Sequence, residues 1–255
     1  MPLDISADTA DRLVKAAAAL RDRVESFSFA PPVAYVYNPL RYAWAPHEHY
    51  LRRYGAGRKR VIFMGMNPGP FGMAQTGVPF GEVAAVRDWL GITASVDKPP
   101  REHPKRPVTG FDCRRSEVSG RRLWGFFREE FGTAANFFAD HFVVNYCPLV
   151  FMDEGGRNLT PDKLPKPERM ALQAACDAHL RDVVDILRPE FAVGIGGFAA
   201  RRLKETLAEG AARIICIPHP SPASPVANRG WAEPVRRILE QEGVLGARGK
   251  RKGQR

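Results

Sequence analysis

Four short runs of unbroken apolar residues punctuate the chain. They are Arg60-Val61-Ile62-Phe63-Met64, Phe142-Val143-Val144-Asn145-Tyr146, Phe191-Ala192-Val193-Gly194-Ile195 and Arg213-Ile214-Ile215-Cys216-Ile217. None alternates with polar residues, which predicts strands buried on both faces. Helical spacing fills the gaps. Leu13, Ala16, Ala17, Leu20 and Val24 predict a helix over 8–24, with Ser6 or Asp8 as its cap. Further helices are predicted near 46–54 and over 82–90, 120–131, 167–187, 197–209 and 232–242. The rest of 27–58, rich in Pro and Tyr, predicts irregular structure, and 94–120 a long loop. No internal repeat or low-complexity block interrupts the body.

Buried strands alternating with helices predict an α/β fold, a single three-layer domain with a central four-stranded parallel sheet flanked by helices. Its expected extent is 1–245, followed by a disordered basic tail over 246–255. In such a sheet ligands sit beyond the carboxyl ends of the strands. Those ends carry Gly65-Met66-Asn67-Pro68-Gly69, Asn145-Tyr146-Cys147-Pro148, Gly196-Gly197 and Pro218-His219-Pro220-Ser221-Pro222. Two asparagines and one histidine are thereby expected on one rim.

Charge adds a partner class. There are 38 Lys and Arg against 28 Asp and Glu, a net of +10, which favours a polyanion such as nucleic acid. Lys98, Arg101, Lys105, Arg106, Arg114 and Arg115 crowd the long loop, and five basic residues crowd the tail. No apolar run approaches the roughly 20 residues of a membrane span. The N-terminus is acidic and lacks a secretory pattern, so a reducing compartment and free thiols are expected. Cys147, Cys176 and Cys216 read as small buried residues, and no C-x-x-C pair suggests a metal. His47 and His49 read as solvated surface residues. Gly194, Gly196 and Ala199 fit G-x-G-x-x-A, but the next strand brings no acid for a ribose hydroxyl, so tight helix–strand packing explains them better. There is no P-loop and no G-x-S-x-G elbow.

The most informative segment is GMNPGPFGMAQTGVPFGEV, residues 65–83. Its glycines and prolines fix an irregular backbone that can approach a planar ligand closely. Asn67 offers an amide that can orient a water, and Phe80 a face on which a base can stack. On composition alone a structural loop, with Phe80 in the core, stands beside that reading.

This segment, with HPKRPV (103–108), NYCPLVF (145–151), GRNLTP (156–161) and HPSPxxPxANRGW (219–231), resembles the single-strand-selective monofunctional uracil-DNA glycosylases of the uracil-DNA glycosylase superfamily. The resemblance spans roughly 30–240. It implies hydrolysis of the glycosidic bond of uracil and 5-hydroxymethyluracil in DNA, with no metal, no cofactor and no lyase step. It implies that Asn67 positions the hydrolytic water and His219 stabilises the departing base at O2. Phe80 would stack on the base and Asn145 read its edge. Met66, Gly69 and Met73 would surround it, the last two at the 5-position. Ser221, Pro222, Ala223, Ser224, Pro225, Asn228 and Arg229 would belong to a loop that wedges into the duplex.

Glycosylases extrude the target nucleotide at a cost of a few kcal/mol, and apolar wedges fill the gap. With no carboxylate in GMNPG, water is oriented and not strongly deprotonated, so a slower enzyme is expected than superfamily members with Asp there. The family often carries a basic side chain and Asn after HPSP; Ala223 and Ser224 make this wedge smaller and less charged. Expected partners are single- and double-stranded DNA with damaged bases, for a monomer in a bacterial cytosol or a nucleus. Two alternatives stay open: a related glycosylase shifted toward xanthine or hypoxanthine, and a non-catalytic nucleic-acid binder.

Overall fold

The computed structural model describes residues 5–246, so the expected basic tail lies, save Gly246, outside the described residues. Its centre is a parallel sheet of β2 (Val61–Gly65), β3 (His141–Asn145), β6 (Phe191–Ile195) and β7 (Arg213–Ile217), in the order β3-β2-β6-β7. The register pairs Phe63 with Val143 and Val193, and Val193 with Ile215. The two inner strands, β2 and β6, are buried throughout, which is why they read as unbroken apolar runs. The edge strand β7 exposes alternate positions, and this corrects the expectation for Cys216: it is exposed, while Cys147 and Cys176 are buried.

Successive side chains of a strand face opposite layers. Phe63 packs on Phe127 of α5 (Val118–Phe131) and Phe137 of α6 (Ala134–Asp140), whereas Phe142 stacks on Tyr50 of α3 (Trp44–Tyr54). Helices α1 (Ile5–Glu25), α7 (Lys166–Leu187) and α8 (Gly197–Thr206) join the second layer. Helix α10 (Ala232–Gln241) clamps onto α5, where Arg236 bridges Glu129 and Glu130. Gly194 lets α8 close on the sheet: a Cβ there would stand 2.3 Å from the Ala200 nitrogen. Helix–strand packing thus accounts for that glycine.

Several expectations need correction. Helix α1 spans Ile5–Glu25, so the expected cap positions Ser6 and Asp8 both fall within it; Asp8 sits in the first turn, where a carboxylate suits the helix dipole. Segment 27–58 is more regular than its composition suggested, with β1 (Tyr35–Tyr37) and α2 (Pro39–Tyr42) before α3. Strand β1 pairs antiparallel with β4 (Val150–Met152), and β4 with β5 (Asn158–Leu159), a small second sheet too short-stranded to leave a periodic signal. The predicted 82–90 helix is present over 83–89, but its body, Ala85–Trp89, is wound wide, with Leu90 N–H donating to Ala85 O at 3.0 Å. His47 is buried, its Nδ1 2.7 Å from Gly77 O, and burial lowers its pKa to about 4.

Candidate active site

Pairing between β2 and β3 continues past both strands: Tyr146 and Cys147 N–H donate to Gly65 O and Met66 O, each at 2.9 Å. This extension sets Asn67 beside Asn145 at the carboxyl edge of the sheet. A cavity of about 520 Å³ opens there, within the range of small-molecule sites. Met66, Asn67, Gly69, Met73, Phe80, Asn145 and His219 all line it, as do Ser221, Pro222, Ala223 and Ser224. Three of the four strand ends thus meet at this cavity, while Gly196-Gly197 after β6 does not line it. Pro225 and Asn228 lie in a one-turn helix, α9 (Pro225–Asn228), and Arg229 is exposed just after it; none of the three lines the cavity.

Asn67 and His219 are each held by a bond that leaves a second polar atom available. Asn67 Nδ2 donates to Leu149 O (3.2 Å) and Pro68 O (3.4 Å), so Oδ1 is what the side chain can offer a water. Ser221 N–H donates to His219 Nδ1 at 3.1 Å, which assigns the proton of the neutral ring to Nε2. Burial lowers the His219 pKa, so the neutral Nε2–H form dominates at neutral pH. Asn145 Nδ2 rests on Met73 Sδ at 3.2 Å.

Phe80 is at once a buried residue and a wall of the cavity. Its φ of 52° is left-handed, a strained state for an aromatic residue. Trp124 Nε1–H and Glu82 N–H hold its carbonyl, at 3.0 and 2.7 Å. Gly120 must lack a side chain, because a Cβ would approach that carbonyl oxygen to 2.1 Å. Gly65 must too: a Cβ would fall 2.5 Å from Phe80 Cε2 and 2.6 Å from Asn145 Oδ1. At Gly196, φ is 92° and a Cβ would stand 3.2 Å from that of His219.

The segment expected to wedge into the duplex is braced from a distance. Arg122 on α5 donates to Pro220 O (2.8 Å) and Asn228 Oδ1 (3.2 Å), and Asn228 Nδ2 donates to Pro222 O (2.7 Å). The Asn228 amide is therefore spent inside the loop. Half-exposed Phe71, one residue past Pro70 of the cavity wall, carries the guanidinium groups of Arg115 and Arg106, at 4.3 and 5.4 Å from its ring centre. Sequence reasoning missed Arg122 and also Glu117, Ser119, Asn158 and Thr160 on the cavity wall. GRNLTP contained the last two, but nothing in its residue types marked a role. Among the described residues no group of three or more His, Cys, Asp or Glu is placed to hold a metal ion, and no helix is long and apolar enough to cross a membrane.

The profile of the Uracil DNA glycosylase superfamily matches residues 52–240. A single-strand selective monofunctional uracil-DNA glycosylase of Rattus norvegicus is 51% identical over 228 residues, covering 89% of this chain and 82% of that protein. Its counterpart in Mus musculus is 47% identical over 246 residues, covering 96% and 88%. The crystal structure of wild-type Pedobacter heparinus SMUG2 matches with a TM-score of 0.64 at 17% identity, over 90% of this chain and 97% of that one, a likeness of fold. The chain belongs to the uracil-DNA glycosylase superfamily and, within it, to the single-strand-selective monofunctional uracil-DNA glycosylases.

Proposed function

We propose that the protein is a DNA-repair glycosylase that hydrolyses the N-glycosidic bond of uracil and 5-hydroxymethyluracil in single- and double-stranded DNA, with no metal and no lyase step. The observation that carries this reading is the arrangement of Phe80, Asn145, neutral His219 and Asn67 around one cavity in a chain of this family. The flipped base stacks on Phe80. The Asn145 amide donates to O4 and accepts from N3–H, a pattern cytosine reverses. As the C1′–N1 bond breaks, its electron pair passes to the base, and His219 Nε2–H stabilises the charge at O2. A preorganised donor of this kind is worth roughly 3–4 kcal/mol. A water held by Asn67 Oδ1 bonds to C1′ and releases its proton.

The Pro222–Pro225 turn supports a wedge role, and Arg106, Arg115 and Arg229 phosphate contacts. Met170 is the one large apolar side chain strongly exposed among the described residues, in keeping with a monomer. A DNA substrate is in keeping with work in a bacterial cytosol and nucleoid or in a nucleus. The test is incubation in EDTA with oligonucleotides holding one uracil, 5-hydroxymethyluracil, xanthine, hypoxanthine or thymine. Alkali-labile sites are expected at the first two alone, with strands intact before alkali. Asn67→Ala should keep DNA binding and lose most of the single-turnover rate. Cleavage at xanthine or hypoxanthine but not at uracil would overturn the substrate assignment.

A further inference from the structure

Two aromatic rings beside the long basic loop are each faced by arginine, and the proposed bond cleavage uses neither. Arg115 lies 4.3 Å and Arg106 5.4 Å from the ring centre of Phe71, while Arg101 lies 4.3 Å from that of Tyr35 on β1. Both rings are half-exposed, and Arg101 and Arg115 are exposed. None of the three arginines has an ion-pair partner among the described residues. The loop's own Glu102 is taken by Lys98 Nζ and by Val108 N–H, at 3.0 and 2.7 Å. An isolated arginine over a ring is a common contact and needs only packing to explain it. Packing does not explain three guanidinium groups without a counter-charge on one loop.

The two stacks are joined. Arg106 Nε donates to Gly156 O at 3.0 Å, and a Cβ on Gly156 would stand 2.8 Å from His103 Cε1. His103 packs edge-on against Tyr35, with ring centres 4.7 Å apart. The run from Phe71 to Arg101 is therefore continuous, with buried His103 as its inner link. One end opens on the cavity: Phe71 follows Pro70, and Pro70 and Asn158, two residues past Gly156, both line the wall. The far end is Tyr35 and Arg101, and neither lines the cavity.

We propose that this strip binds the unpaired strand beside the extruded base, its guanidinium groups contacting phosphates and its aromatic and guanidinium faces stacking bases. Positive charge interleaved with π-faces holds single strands without sequence preference, because every base has a face to stack. A duplex offers its phosphates to the same arginines, but its bases are already stacked on one another. Tyr35 therefore gains a partner from a single strand alone. The inference rests on the uracil-excision reading and adds to it a strand-binding surface outside the cavity.

Two variants at the far end test it. Tyr35→Leu keeps an apolar side chain on β1 and removes the stacking face; Arg101→Gln removes one charge. Binding to a uracil-free single strand is followed by fluorescence anisotropy across a salt series. Single-turnover excision is measured on uracil in single and double strands, with a melting curve for each variant. Tyr35→Leu should weaken single-strand binding roughly five- to hundredfold, with the slope of log K against log salt and the duplex excision unchanged. Arg101→Gln should make that slope shallower by about 0.7. Single strands shortened stepwise from one side of the uracil should lose affinity for the wild-type protein, and from the other side should not. Equal losses on single and double strands, or unchanged single-strand binding in both variants, overturn the proposal. Should Tyr35→Leu fail to fold, the shortening series decides: no loss from either side overturns it. Protein that excises no uracil yet binds single strands through Tyr35 removes the excision reading and leaves the strip standing.

Discussion

Gly65→Ala puts one methyl group where Phe80 and Asn145, the side chains proposed to stack on the base and to read it, meet. Its Cβ would lie 2.5 and 2.6 Å from Phe80 Cε2 and Cζ and 2.6 Å from Asn145 Oδ1. Ordinary contact begins near 3.5 Å, so the ring and the amide must each retreat by about 0.9 Å. Phe80 cannot yield by its backbone, because Trp124 and Glu82 pin its carbonyl. The displacement therefore passes to the ring and to Asn145. A misplacement of about 1 Å costs on the order of 100-fold in rate, and overpacking costs roughly 1–3 kcal/mol of stability. Gly194→Ala is the matched control, since its Cβ collides with Ala200 on α8 and the clash is with structure alone. Single-turnover uracil excision at saturating enzyme, with thermal melting of each variant, separates the effects. Both variants should melt lower, and only Gly65→Ala should lose the rate. A folded Gly65→Ala protein that excises uracil at the wild-type rate would show that Phe80 and Asn145 do not need this close approach.

Arg122→Ala frees Pro220 and Asn228 together and should weaken duplex cleavage by about tenfold while sparing single-stranded substrate, measured as the ratio of the two rates. His219→Leu should slow uracil excision by two to three orders of magnitude but 5-fluorouracil less, since a better leaving group needs less help; equal losses would contradict anion stabilisation. Buried His47 titrates near 4 against 6.5 when unfolded, so the unfolded chain takes up the proton first as pH falls. Stability is then full above about pH 6.5 and drops by roughly 3 kcal/mol on descent to pH 4. His47→Gln should make that part of the urea-denaturation profile shallower but not flat, because burial lowers His179 to about 4 as well. Asn145→Asp trades an amide donor for an acceptor and should lose uracil, with weak cytosine cleavage as its signature.

The parallel sheet was legible because inner strands buried on both faces must be apolar throughout, and β2 and β6 are. The same logic misplaced Cys216, since an edge strand needs only every second residue inside. The second sheet left no trace: its strands are two or three residues long, below any periodicity. Asn67, Asn145 and His219 could be placed on one rim because topology alone brings strand ends together. Glu117 could not, because it reaches the cavity from the start of a helix and Glu is an uncommon cap. Arg122 acts on a carbonyl 98 residues away, a pairing no local pattern encodes. His47 shows the converse failure: a lone histidine on a helix reads as solvated until the turn at Gly77 closes over it.

Preorganisation in this site has one deliberate gap. His219 is fixed through Nδ1, Asn67 through Nδ2, and Phe80 through its carbonyl, in each case by an atom the reaction does not need. Asn145 differs, because the Nδ2 that would donate to uracil O4 rests on a thioether sulfur, a weak acceptor. A strong partner here would compete with the substrate, and an absent one would leave a half-buried donor unsatisfied before the base arrives. Met73 supplies an intermediate case: enough to orient the amide, too little to hold it. In the proposed reading, exchanging sulfur for a carbonyl oxygen is then a net gain on binding, so the Asn145 donor trades a weak partner for a strong one when the base arrives.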